Sequence, residues 1–234
     1  MTERKKLLQQ KSPVIERYMR LRMHRNAMGL SRFIMRRALP FKERERERAL
    51  AGALASFAKQ TAKSRRYGFE ASATLFNLGL FFLIAERDIQ SVKVDALTHP
   101  DPWKRSLCAR IILLIIHELD MDKVAGVKLR TALESAGVPE EAKRQATQAM
   151  REVRNAQQKA RKQFAFLRNA TIAHRDADAL LQYRSIIQID EKKVIRIAGE
   201  FYDGTRRFLS IMPTLVPQVG TWPGLLNQLR AHSI

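Results

Sequence analysis

Between Pro139 and Leu167 apolar and small residues return at alternating steps of four and three: Ala146, Met150, Val153, Gln157, Ala160, Phe164 and Leu167. That spacing is the seam of a packed helix and is incompatible with a strand, whose side chains alternate every second residue. Glycine and proline, ten and eight in 234 residues, are too few and too grouped to interrupt most of the chain. Similar periodicity predicts helices over Phe69–Val94, from Pro102 to about Met121, from about Lys123 to Ser135, and from Asp190 to about Met212. Asp101 before Pro102 is a cap and first-turn signal, "AGVPEE" closes one helix and opens the next, and Asp190 caps the last. The expected class is all-α.

Three regions are expected. Residues 1–66 form a basic helical arm, with Ile15, Tyr18, Met19, Leu30, Phe33 and Ile34 at helical spacing and Pro40 ending its first segment. Glu43 and Glu47 among Arg44, Arg46 and Arg48 read as a solvated face with local ion pairs. Residues 67–212 form the helical bundle. Within it "DADALLQYRSIIQID" has some strand character at Ile186, Ile187 and Ile189 and is expected to be partly an irregular crossover. Residues 213–234, with Pro213, Pro217 and Pro223, are expected to be an irregular tail.

Charge is unevenly spread. Residues 1–66 hold 19 Lys and Arg against 5 Asp and Glu; residues 67–234 hold 24 against 18. A one-sided cationic excess is the electrostatic footprint of a polyanion binder, because cations that neutralise phosphates release condensed counterions. Nucleic acid is the expected partner, ahead of an anionic membrane surface, contacted by Arg17, Arg20, Arg22, Arg25, Arg32, Arg36 and Arg37 of the arm and by Arg175. The apolar windows Thr74–Ala85 and Ile111–Ile116 fall short of the roughly 20 residues that a bilayer demands, so no membrane partner is expected. The charged first residues lack the apolar run of a secretory signal, and Cys108 stands alone, so a cytoplasmic location is expected.

No zinc spacing of Cys and His, no P-loop and no glycine-rich dinucleotide turn is present, and His117-Glu118 lacks the second histidine of a zinc-protease helix. No cofactor is expected. Arg followed after a short spacer by His occurs at Arg17/His24, Arg110/His117 and Arg168/His174, and with 28 Arg and 5 His roughly two such pairs arise by chance. Context separates them. Arg110 and His117 bracket the core run "IILLII", where His117 reads as a core-edge or surface residue, and Arg17/His24 lies among dense arginines. Only Arg168 is followed by a polar Asn169, by small Ala170 and Ala173, and by His174 within "AHRD".

The stretch "LRNATIAHRD", residues 167–176, after one long amphipathic helix and before another, resembles the signature of the HEPN superfamily, the higher-eukaryote and prokaryote nucleotide-binding helical bundles. The likeness covers roughly residues 67–212 by helix pattern and ten residues by motif. It implies an up-and-down bundle and metal-independent RNA cleavage, with the ribose 2′-hydroxyl attacking the adjacent phosphorus. His174 would then move protons, Arg168 would hold the phosphate as charge builds, and Asn169 would position phosphate or hydroxyl. The "AHRD" neighbourhood resembles the mobile-element and abortive-infection branches, implying a toxin or phage-defence role with an antitoxin or regulatory protein as partner. On an unbroken helix Arg168 and His174 lie about 120° apart, so either Arg168 reaches around, the helix bends near His174, or a second subunit completes the pair; the resemblance implies the last, a homodimer in which two copies of the motif meet. A purely structural use also fits: Asp176 as a cap, His174 donating to a carbonyl, Arg168 paired with Asp176 or Asp178. A non-catalytic nucleic-acid-binding or regulatory protein is the rival expectation.

Overall fold

The computed structural model describes residues 13–167 and 178–232; the side chains of 13–28, 40, 42, 166, 167 and 229–232 lie outside that description. The described residues are helical almost throughout. In chain order the helices are α1 (Pro13–Arg66), α2 (Glu70–Thr98), α3 (Pro102–Glu118), α4 (Met121–Val124), α5 (Gly126–Ser135), α6 (Glu140–Leu167), α7 (Ala179–Ile187), α8 (Glu191–Gly220) and α9 (Trp222–His232).

The core is a ring of four long helices in which α2 packs on α3, α3 on α6, α6 on α8 and α8 on α2. Two ties, Phe82 edge-on against Phe208 at 5.5 Å between ring centres and the Tyr202 hydroxyl donating to the Glu86 carbonyl, run α8 antiparallel to α2. Lys159–Glu200 and Arg207–Glu152 do the same for α6 and α8. The helices approach most closely at Gly204, where a Cβ would stand 2.8 Å from the Val153 backbone nitrogen. Phe82, Phe164, Phe201 and Phe208 fill the centre. Burying side chains of this size, each worth about 1.5–3 kcal/mol, is the main force holding the ring together.

The seam read in α6 is buried as far as Phe164, with Ala146, Val153 and Ala160 fully enclosed. Gln157 sits in it because its amide nitrogen donates to the Leu119 carbonyl, an acceptor that the end of α3 leaves without a helical partner. The expected caps also form. Asp101 accepts from the Trp103 N–H at 2.9 Å and Asp190 from the Lys193 N–H at 3.1 Å. Gly137, at φ 67°, closes α5 in the left-handed conformation that a side chain would penalise.

Four expectations need correction. Pro40 does not end a segment: α1 runs through it, held on α2 by Arg36–Asp95 before it and by Lys93–Glu43 after it. The Glu43 and Glu47 face is only partly solvated, because it pairs across to α2. Glu43 takes Lys93 at 2.9 Å and Gln90 at 2.8 Å, Glu47 takes Arg87, and Arg46 binds Glu86 while lying 5.1 Å over the Tyr202 ring. With Leu50 buried and Phe57 edge-on against Phe76, the second half of the arm is a layer of the bundle, not a separate unit. Residues 179–187 are helical, with Asp178 accepting from the Leu180 and Leu181 N–H groups. Finally, residues 213–220 continue α8 and 222–232 form α9. Pro213 and Pro217 lie on its exposed side, so the carbonyls that they leave unpaired face water while Met212, Leu215 and Val219 keep burying. Gln228 of α9 donates to the Val219 carbonyl at 2.8 Å, which folds the end of the chain back onto the bundle.

Candidate functional site

Arg168, Asn169, His174 and Arg175 lie outside the described residues, as does Asp176. What surrounds the ends of that segment is defined. On its near side α6 ends at Leu167, with Phe164 one turn earlier packed 5.3 Å from the His117 ring. On its far side Asp178 caps α7.

Helix α3 presents one stripe to both flanks, because Trp103, Ser106, Arg110 and His117 fall within about 60° of one another at 100° per residue. Trp103 stacks on Tyr183 of α7 and Ser106 donates to the Ile186 carbonyl at 2.8 Å, while His117 meets Phe164 of α6. Between them lies Arg110. It is 7% exposed, its Nε finds no hydrogen-bond partner, and no carboxylate pairs with it among the described residues. Burial without a counter-charge lowers its pKa. His117 is mostly enclosed, with Nδ1 3.0 Å from a Glu118 oxygen, which fits a core-edge residue.

Of the arm arginines expected to contact nucleic acid, the three whose side chains are described have neighbours within the chain. Arg32 approaches Glu191 at 3.7 Å, Arg36 approaches Asp95 at 3.8 Å, and Arg37 lies 5.4 Å over the Phe33 ring. For Arg17, Arg20, Arg22 and Arg25 the structure gives the helical backbone alone. Leu30, Phe33, Ile34 and Phe41 are more than half exposed along the same arm.

A second concentration of positive charge lies in the bundle, where sequence reasoning assigned none. Arg130 of α5 faces Lys143, Arg151 and Arg154 of α6 across a cleft of about 260 Å³ floored by Leu129 and Met150. Among the described residues no carboxylate lines it. The signal is hard to see in sequence because Glu140, Glu141 and Glu152 stand beside these cations in the chain. In space Glu140 and Glu141 pair along the helix with Lys143 and Arg144, and Glu152 turns away to Arg207.

Among the described residues no group of three or more His, Cys, Asp or Glu side chains is placed to hold a metal ion, and no helix is long and apolar enough to cross a membrane. No family model matches the chain, and no curated protein or solved structure matches it either.

Proposed function

We propose that this protein is a metal-independent endoribonuclease of HEPN type, acting as a homodimer in a toxin or phage-defence system. One observation carries the reading: the Arg168-Asn169 and His174 motif follows directly on α6, a helix whose seam is locked into an all-α bundle. A motif anchored by a rigid helix meets the demand of such chemistry for fixed geometry.

In this reading His174 takes the proton of the ribose 2′-hydroxyl as its oxygen bonds to phosphorus. The bond to the 5′ oxygen breaks, and that oxygen leaves with a proton, giving a 2′,3′-cyclic phosphate and a 5′-hydroxyl end. Imidazole titrates near neutral pH and suits the transfer. Arg168 stabilises the charge gathering on the phosphate oxygens, and Asn169 orients the phosphate. On an unbroken helix the two side chains would stand about 120° apart, and in this reading the cation of one protomer serves the histidine of its partner.

The test is incubation of purified protein with single-stranded RNA and a chelator. Cleavage with cyclic-phosphate ends, lost in Arg168→Ala and His174→Ala while RNA binding persists, is the expected result. Intact RNA throughout would leave the second reading, a non-catalytic nucleic-acid-binding or regulatory interaction protein. The exposed Leu30, Phe33, Ile34 and Phe41 of α1 favour that alternative, since such residues interleaved with arginine form a docking surface.

A further inference from the structure

We propose that the sugar-phosphate backbone of single-stranded RNA binds in the α5–α6 cleft and along the outer face of α6, and not principally on the amino-terminal arm. The choice of RNA over other polyanions rests on the nuclease reading above; the site itself rests on the geometry that follows.

Three observations converge. The cleft gathers Arg130, Lys143, Arg151 and Arg154 around an apolar floor with no acidic lining residue among those described. At 100° per residue Lys143, Thr147, Arg151, Arg154 and Arg161 occupy a stripe about 80° wide, rotated away from the buried seam. Arg161 and Lys162 are exposed, so the stripe continues from the cleft to the last turns of α6, shortly before Arg168. A strand lying along it would be led from the cleft to the motif.

The neutralisation of these cations is weak or missing except at Lys143, which pairs with the exposed Glu140 at 2.7 Å. Arg130, Arg151, Arg161 and Lys162 form no ion pair with any described residue, and Arg154 holds only Asp122, which is 89% exposed. Such a solvent-exposed pair is readily exchanged for a phosphate. Arg151 and Arg154, three residues apart on one helix, repel each other and cost helix stability. An anionic ligand relieves that repulsion. Guanidinium groups also take two phosphate oxygens at once, and the Leu129 and Met150 floor gives a base or ribose an apolar surface. Arg32, Arg36 and Arg37 of the arm already have intrachain neighbours at Glu191, Asp95 and Phe33.

The experiment uses the full chain and a fluorescein-labelled 20-nucleotide 2′-O-methyl oligouridine, which cannot be cut because its 2′-oxygen is blocked. Anisotropy titrations over a salt series compare wild type, the triple variant Arg130→Ala/Arg151→Ala/Arg154→Ala and the arm variant Arg36→Ala/Arg37→Ala. For the triple variant Kd rises about tenfold or more and the slope of log K against log salt shrinks by about two, given about 0.7 per phosphate contact on a single strand. The arm variant stays within about twofold of wild type. Thr147→Glu, which adds a negative charge in the cleft and gives up only the hydroxyl's hydrogen bond to the Lys143 carbonyl in the same helix, also weakens binding and decides the matter if the triple variant does not fold. Wild-type affinity in both cleft variants overturns the proposal, as does loss confined to the arm variant. Cleft-dependent capture of phosphatidylserine vesicles without oligouridine binding overturns it in favour of a membrane surface. Binding through the cleft without cleavage of natural RNA by wild type leaves this site standing and removes the nuclease reading; cleavage undiminished in the cleft variants does the reverse.

Discussion

Arg105 holds Glu191 through both carboxylate oxygens, with Nε 3.0 and 3.1 Å away, joining α3 to the first turn of α8. The same guanidinium donates from Nη1 to the carbonyls of His99 at 2.8 Å and Pro100 at 3.1 Å, so it also fixes the turn between α2 and α3. Arg32 of α1 approaches Glu191 from outside. Three helices and one turn therefore converge on one carboxylate.

Breaking that junction leaves the buried Arg105 without its carboxylate, or leaves the partly buried Glu191 with only the more distant Arg32. Glu191→Gln and Arg105→Ala are each expected to lose about 3 kcal/mol of stability, seen as a fall in Tm of about 8 °C by circular dichroism. A shift below about 1 °C in both would show that the junction carries little energy.

Arg110 presents the opposite case on the same helix, a guanidinium enclosed without a described counter-charge. Arg110→Met keeps length and packing and removes the desolvated charge, so stability is expected to rise by about 1–2 kcal/mol. Chemical denaturation with an unchanged m value checks this. A loss of stability would mean that the cation is compensated.

Two glycines of α8 are expected to respond with opposite sign. Gly204→Val drives a side chain into the α6 backbone at Val153 and costs about 3 kcal/mol. A Cβ added at Gly199 meets nothing within 4 Å, so Gly199→Ala gains about 0.5–1 kcal/mol from helix propensity. Equal effects at the two positions would contradict the close approach of α6 and α8.

Tyr202 supplies a pH signature. Burial pushes its phenol well above the usual tyrosine range, and the nearby Glu86 carboxylate pushes it the same way. The folded protein therefore keeps the proton after the unfolded chain has begun to release it near pH 10. Stability from this group is complete below that pH and declines as pH rises above it. Melting curves between pH 8 and 11.5 are expected to fall less steeply for Tyr202→Phe than for wild type; parallel curves would exclude the contribution.

Sequence periodicity was sufficient where burial follows local spacing. The α6 seam, including its glutamine, and the caps at Asp101 and Asp190 are properties of a few neighbouring residues, and each forms as read. It failed where a distant helix decides. Pro40, Pro213 and Pro217 are breakers by local rules, yet contacts with α2 on one side and the buried Met212, Leu215 and Val219 on the other carry the helices through. Glu43 and Glu47 look like partners of their own arginines and instead bind residues of the next helix, Lys93 and Arg87. The cationic cleft was invisible for the same reason, since Glu152 stands beside Arg151 in the chain but turns away to Arg207, and Arg130 comes from another helix. The motif at Arg168, Asn169 and His174 was legible as a pattern and lies outside the described residues.

The unbroken course of α1 sets the hydrodynamics of the molecule. Fifty-four residues of helix extend about 80 Å, against about 44 Å for α2 beside it. Since Arg36 already lies level with Asp95 in the final turn of α2, the preceding residues of α1 run on past the end of that helix as a rod. A rounded chain of this size has a radius of gyration of about 17 Å. A rod of that length is expected to raise the radius of gyration above that value and to slow tumbling through viscous drag that mass alone does not explain.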